Sequence, residues 1–236
     1  MFNRDALQYL TEQGQPEVLE VNGQQYSTRQ LYKVSEPTPA PLVVRNLSGL
    51  VDYLKSEFDD QAPLLVHVVS PDEVSVISTY NNDYQRKEII KAEALLPEFR
   101  FGSYYDAETF NIKLQSMFVS NEDRTKLLKV VGNIKEEAVR QVGDDGVSQS
   151  VVAKTGVATV EDVTVPNPVL LAPYRTFVEV EQPASAFVFR MKDGPAAALF
   201  EADGGAWRND AIEVVSTYLA KELSDLIEAE RIVVIA

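Results

Sequence analysis

The sequence predicts an α+β protein: an α/β N-terminal half, residues 1–132, packed with a β-rich, sandwich- or barrel-like C-terminal half, residues 133–236, that carries a terminal helix. Three observations lead there. Between Leu42 and Val69 the apolar pattern passes from a short run to helical spacing and back to a continuous run, the signature of a β-α-β unit. After Gly132 the apolar runs shorten, and prolines 166, 168, 173, 183 and 195 punctuate them, as in a sheet of short strands. Near the end, Ile212, Val215, Leu219, Leu223 and Leu226 form one helical stripe. The two halves either stand apart or share one core.

The elements follow in order. Asp5 to Gln13 is a short helix. Asn22-Gly23 supplies the positive φ angles of a type I′ turn, so Val18 to Ser27 is a hairpin. Ser35 to Pro41 holds three prolines and reads as an extended connector. Leu42 to Val44 is a strand. Leu47, Leu50, Val51, Leu54 and Phe58 line one helix face, capped by Asn46 or Ser48. Leu64 to Val69 is a buried strand, Glu73 to Tyr80 an alternating one, and Lys87 to Leu95 either a helix turn or, in preference, a third strand. Asp106 caps a helix through Phe110, Leu114, Met117 and Phe118. Ser120 with Asp123 opens a second that Gly132 ends. A hairpin is expected around Gly143-Asp144-Asp145-Gly146. Strands follow at 157–160, 169–171, 176–181, 186–191 and 196–200. Asn209 caps the last helix, and Arg231 to Ala236 is an apolar strand that belongs back in a sheet.

Composition narrows the function classes. With no cysteine, disulfides, thiolate metal sites and thiol nucleophiles are excluded. Lys and Arg number 22 against 36 Asp and Glu, a net charge of −14, which repels nucleic-acid phosphate and makes non-specific nucleic-acid binding unexpected. The N-terminus lacks a basic start and apolar run, and no apolar stretch nears the ~20 residues of a membrane span. A cytoplasmic location with no membrane partner is expected.

The segment Pro173-Tyr174-Arg175-Thr176-Phe177-Val178-Glu179-Val180-Glu181-Gln182-Pro183, continuing to Phe187-Val188-Phe189-Arg190, resembles the YfdQ-like proteins, a family of uncharacterised phage and prophage proteins. Phe99 to Tyr104, Leu127 to Glu137 and Gly143 to Gln149 are similar to its Gram-positive phage branch. The resemblance runs from about Leu42 onward. It implies a small accessory gene expressed in a bacterial cell during phage growth, beside replication and recombination genes. It brings no catalytic residue with it.

Several side chains remain as candidate chemistry. His67, the sole histidine, is either a satisfied structural residue or one ligand among carboxylates. Glu179 and Glu181 would share one strand face. With Glu201 and Asp203 they either form an oxygen-rich Mg²⁺ site for a nuclease or phosphohydrolase, or a solvated, ion-paired surface. Arg100, Tyr104, Tyr105, Arg175 and Arg190 either hold a nucleotide, or have arginines paired with Glu179 and Glu181. Gly204-Gly205 before the last helix either cradles an anion or makes a tight turn, and Trp207 is either a core plug or an interface anchor. Asp144-Asp145 lacks a calcium-loop pattern and reads as a hairpin tip. The leading expectation is a non-enzymatic phage accessory protein without a cofactor. It would bind a phage or host protein, including one of host defence, and self-associate through the terminal strand. The alternatives are the Mg²⁺ enzyme and a sink for a nucleotide signal.

Overall fold

The computed structural model describes residues 4–12, 14, 17–21, 24–28, 39–59, 63–81, 84–132, 142–144, 149–151, 165–192 and 196–236. The chain forms two compact units, Met1–Pro39 and Ala40–Ala236, so the division falls in the proline-rich connector and not at 132.

The first unit holds helix α1 (Arg4–Glu12) and an antiparallel hairpin of β1 (Val18–Val21) and β2 (Gln24–Ser27). Val21 pairs with Gln24, the register that a two-residue Asn22-Gly23 turn requires; those two residues lie outside the described set. Thr28 closes the hairpin base through two hydrogen bonds with the Glu17 backbone.

The second unit is α+β, with helices and strands mixed along the chain. Its first sheet contains β3 (Leu42–Val44), β4 (Leu64–Ser70), β5 (Glu73–Ser78), β6 (Glu88–Glu93) and β13 (Ile232–Ile235), in the order β13-β4-β5-β6-β3. β13 runs parallel to β4 and β3 parallel to β6, while β5 is antiparallel to both neighbours. Helix α2 (Leu47–Ser56) follows β3 and crosses over to β4. Its N-cap is Asn46, whose side chain accepts from the Gly49 N–H at 3.1 Å. Helices α5 (Trp207–Glu222) and α6 (Ser224–Glu228) precede β13. Leu47, Leu50 and Leu54 of α2 and Val215 and Leu219 of α5 bury against Val66, Val68, Val76 and Ile90 of the sheet. Phe58 lies beyond the end of α2 and is 81% exposed, so the apolar stripe ends at Leu54.

The second sheet is antiparallel. It contains β7 (Tyr105–Asp106), β10 (Val169–Leu171), β11 (Ser185–Lys192) and β12 (Ala196–Glu201), in the order β10-β11-β12-β7. Helices α3 (Ala107–Met117) and α4 (Glu122–Gly132) pack Phe110, Leu114, Leu127 and Val130 onto Leu171, Phe187, Phe189 and Leu199. Asp106 caps α3 as expected, accepting from Thr109 N–H at 2.9 Å. α4 is capped by Asn121, not Ser120. β8 (Val142–Asp144) pairs with β9 (Gln149–Val151), so Gly143 and Asp144 belong to a strand; the tip and the strand expected at 157–160 lie outside the described residues.

Among the described residues, the strands of the C-terminal half do not make a sandwich or barrel by themselves. β10, β11 and β12 join β7 from the N-terminal half, and β13 joins the first sheet. The 176–181 strand is a correction: this stretch is a loop. Phe177 and Val180 are buried while Val178 is 74% exposed, which is not a strand's alternation.

Candidate functional site

The loop from Pro173 to Pro183 sets the site, and hydrogen bonds from its first residues tie it to two other segments. Tyr174 N–H donates to the Met117 carbonyl at the end of α3 (2.9 Å), and the Thr176 hydroxyl donates to the Pro71 carbonyl in the β4–β5 turn. Inside the loop, Gln182 is buried. Its Oε1 accepts from the backbone N–H of Arg175 (2.9 Å) and Thr176 (3.2 Å), and its Nε2 donates to the carbonyls of Phe177 (2.9 Å) and Val180 (3.2 Å). One amide thus satisfies four backbone groups that no strand partner reaches.

This loop, the β4–β5 turn, the 96–101 segment and the start of α5 enclose a cleft of about 450 Å³, within the range of small-molecule sites. Phe99, Phe101, Tyr174 and Trp207 give it aromatic walls, and Asp72, Arg175, Glu201 and Arg208 its charges. Arg175 is only 7% exposed. It donates to Glu201 Oε1 (3.1 Å), Ser185 Oγ (2.7 Å) and the Pro183 carbonyl (3.4 Å), and its guanidinium lies 3.8 Å from the Trp207 ring centroid. Its pKa is lowered to about 10, first by burial and also by the like charge of Arg208, against the pull of Glu201 and Asp203. Two donors of these side chains, Arg175 Nε and Trp207 Nε1, are buried below the cleft surface with no acceptor among the described residues. Arg208 stacks over Trp207 at 5.0 Å and enters no ion pair among the described residues.

The turn before α5 aims this group. Gly204 and Gly205 have φ of 65° and 84°, the left-handed region that glycine tolerates. A Cβ on Gly205 would collide with Nη1 of Arg208, so the missing side chain leaves the space where that guanidinium lies. Asp203 occupies the helix N-terminus itself, accepting from Gly205 N–H (3.0 Å) and Trp207 N–H (3.3 Å). The glycine pair is therefore a turn and not an anion cradle. Asn209 lies within α5 and is not its cap.

The expected ligand residues do not assemble as a group. Arg175 lines the cleft. Arg190 donates to the Phe189 carbonyl on β11 (3.0 Å). Tyr104 packs edge-on to Phe200 beneath Lys192, and Arg100 pairs with Glu98 in the open. The arginine–glutamate pairing is also different: Arg175 takes Glu201, not Glu179 or Glu181.

The four carboxylates of the Mg²⁺ alternative are likewise separated by their work. Glu179 Oε1 accepts from Leu47 N–H (2.8 Å), Ser48 N–H (3.2 Å) and the Ser48 hydroxyl (3.1 Å), and so caps α2 from 132 residues away. Glu201 holds Arg175, Asp203 holds α5, and Glu181 is exposed. Among the described residues, no three acidic or histidine side chains gather as a cation site. His67 is half-buried on β4, on the face opposite Val66 and Val68.

Sequence reasoning missed Arg208, Phe99 and Phe101 as cleft residues. The available signal was Gly204-Gly205-Ala206 ahead of Trp207-Arg208 at a helix start, where small residues give way to a large flat one beside a cation. No helix among the described residues is long and apolar enough to cross a membrane. No family model, curated protein or solved structure matches this chain.

Proposed function

We propose that this chain is a phage or prophage accessory protein that acts by binding, without catalysis, in the cytoplasm of a bacterial host, and that recognition is seated in the Arg175–Trp207 cleft. The resemblance to the YfdQ-like proteins supplies the setting. The observation that carries the binding reading is the cleft of about 450 Å³ itself, lined by Phe99, Phe101 and Tyr174 and by Arg208, which enters no ion pair among the described residues.

Separating a bacterial extract into small-molecule and protein fractions tests this. The small-molecule fraction is expected to raise the unfolding midpoint of the wild type and leave Arg208→Ala unmoved, since a ligand of the native state stabilises by mass action. Stabilisation by the protein fraction alone, or equal stabilisation of both proteins, would move recognition out of the cleft.

A second reading, self-association, has its own support. β13 is an edge strand, and its Val233 and Ile235 are 54% and 41% exposed. An apolar edge with free backbone groups pairs readily with a second copy. Light scattering is expected to give a mass above that of one chain, reduced by Val233→Lys; a single-chain mass for the wild type would end this reading.

A further inference from the structure

We infer that the ligand of the cleft is a mononucleotide, with its base on the aromatic wall and its phosphate on Arg208; this rests on the cleft being the recognition site. Phe99 and Phe101 lie 4.9 Å apart at the cleft, and Tyr174 and Trp207 complete the aromatic wall. Flat aromatic surfaces hold bases by stacking, independent of base identity. Arg208 is exposed, enters no ion pair among the described residues, and is held by its stack on Trp207 and by the space above Gly205. A guanidinium with free donors matches a phosphate in geometry and charge. The two carboxylates of the lining, Asp72 and Glu201, each keep lone pairs beyond those given to Ser70 and Arg175. They suit the exocyclic amino hydrogens of a base, which indole-3-acetate and other simple aromatic acids lack.

Charge sets the size of the ligand. A chain of −14 repels a polynucleotide along its whole length, whereas one phosphate needs only the local charge of Arg208, since Arg175 is already paired with Glu201. The cleft volume of about 450 Å³ accommodates a single nucleotide and not a strand.

Isothermal calorimetry with adenosine and guanosine monophosphates, the parent nucleosides, inorganic phosphate and indole-3-acetate tests the assignment. A monophosphate is expected to bind at least tenfold more tightly than its nucleoside or phosphate, and Arg208→Ala is expected to remove that advantage. Gly205→Ala is expected to weaken binding by displacing Arg208. Gly204→Ala bears a similar left-handed strain with nothing within 4 Å of its Cβ, and is expected to bind normally. Equal binding of nucleoside and monophosphate, or an unchanged affinity in Arg208→Ala, overturns the placement of the phosphate. Binding of indole-3-acetate without any nucleotide overturns the ligand class and leaves the cleft as the recognition site. Binding of none of the probes overturns the ligand class, and the extract experiment then decides the cleft separately.

Discussion

The carboxamide of Gln182 lies where the 175–182 loop turns its backbone inward, and it meets two N–H and two carbonyl groups there. Each group is buried, so truncating the side chain strands several polar atoms at once. Gln182→Ala is expected to lose about 3 kcal/mol or more in urea unfolding, beyond the cost of a typical hydrogen bond. Gln182→Glu keeps the acceptor but replaces the Nε2 donor, and is expected to destabilise too. A loss under 1 kcal/mol in both variants would mean that the loop holds its shape without this amide. Asp106 offers a contrasting case, because its effect depends on pH. Hydrogen bonds from Thr109, the backbone N–H first, hold its carboxyl below its ordinary value. The charged form is thus favoured by folding. Its contribution is present above about pH 4 and is lost as pH falls through the depressed folded value. Asp106→Asn keeps an acceptor without the titration, so stability measured at neutral and at strongly acid pH should fall less in this variant than in the wild type.

At the scale of elements, β10 shows how an edge is closed without another strand. Leu170 turns its N–H and carbonyl away from β11; the first donates to Asp123 Oδ2 (3.0 Å) and the second accepts from Asn121 Nδ2 (2.9 Å). The same Asn121 caps α4 through its Oδ1, accepting from Arg124 N–H at 2.7 Å. Two side chains at a helix start thus stand in for a missing strand. Asn121→Ala removes both bonds and is expected to cost about 2 kcal/mol by chemical unfolding. It should also expose an edge that increases aggregation on refolding. A neutral result would assign the edge to Asp123 alone. Elements of this kind also show which parts of the fold were legible. The runs Leu64 to Val69 and Glu73 to Tyr80 declared themselves because burial on one face of a sheet imposes alternation or a continuous apolar run. The terminal strand was legible because an apolar tail requires a partner. Val178-Glu179-Val180-Glu181 carried the same alternating pattern and is a loop. Its backbone is satisfied by Gln182, and Glu179 faces α2, a partner 132 residues away that local periodicity does not encode. The cleft was hidden for the same reason: Arg175, Trp207 and Phe99 meet only after two sheets have formed.

For the whole molecule, the decisive feature is where burial is concentrated. Both core clusters are drawn from residues of the second unit alone: one joins the first sheet to α2, α5 and α6, the other the second sheet to α3 and α4. The sheets are tied together covalently at α5, whose Trp207 stacks on Arg175 beside the second sheet while Val215 and Leu219 bury on the first. The first unit has the opposite character. Leu7, Tyr9, Val18, Leu19, Val21 and Tyr26 are each about half exposed or more, and a helix with a two-stranded hairpin is too small to supply a core of its own. Register places Leu19 opposite Tyr26, so the hairpin has an apolar face written into it that the unit does not itself cover. A chain beginning at Ala40 should therefore unfold in one cooperative transition, within about 1 kcal/mol of the full-length protein, because surface changes that leave a core intact have small effects. It should also bind the nucleotide probes unchanged, since every residue lining the cleft lies beyond residue 69. A large loss of stability on truncation, measured by urea unfolding with fluorescence of the single Trp207, would show that the first 39 residues complete a core that the second unit leaves unfinished.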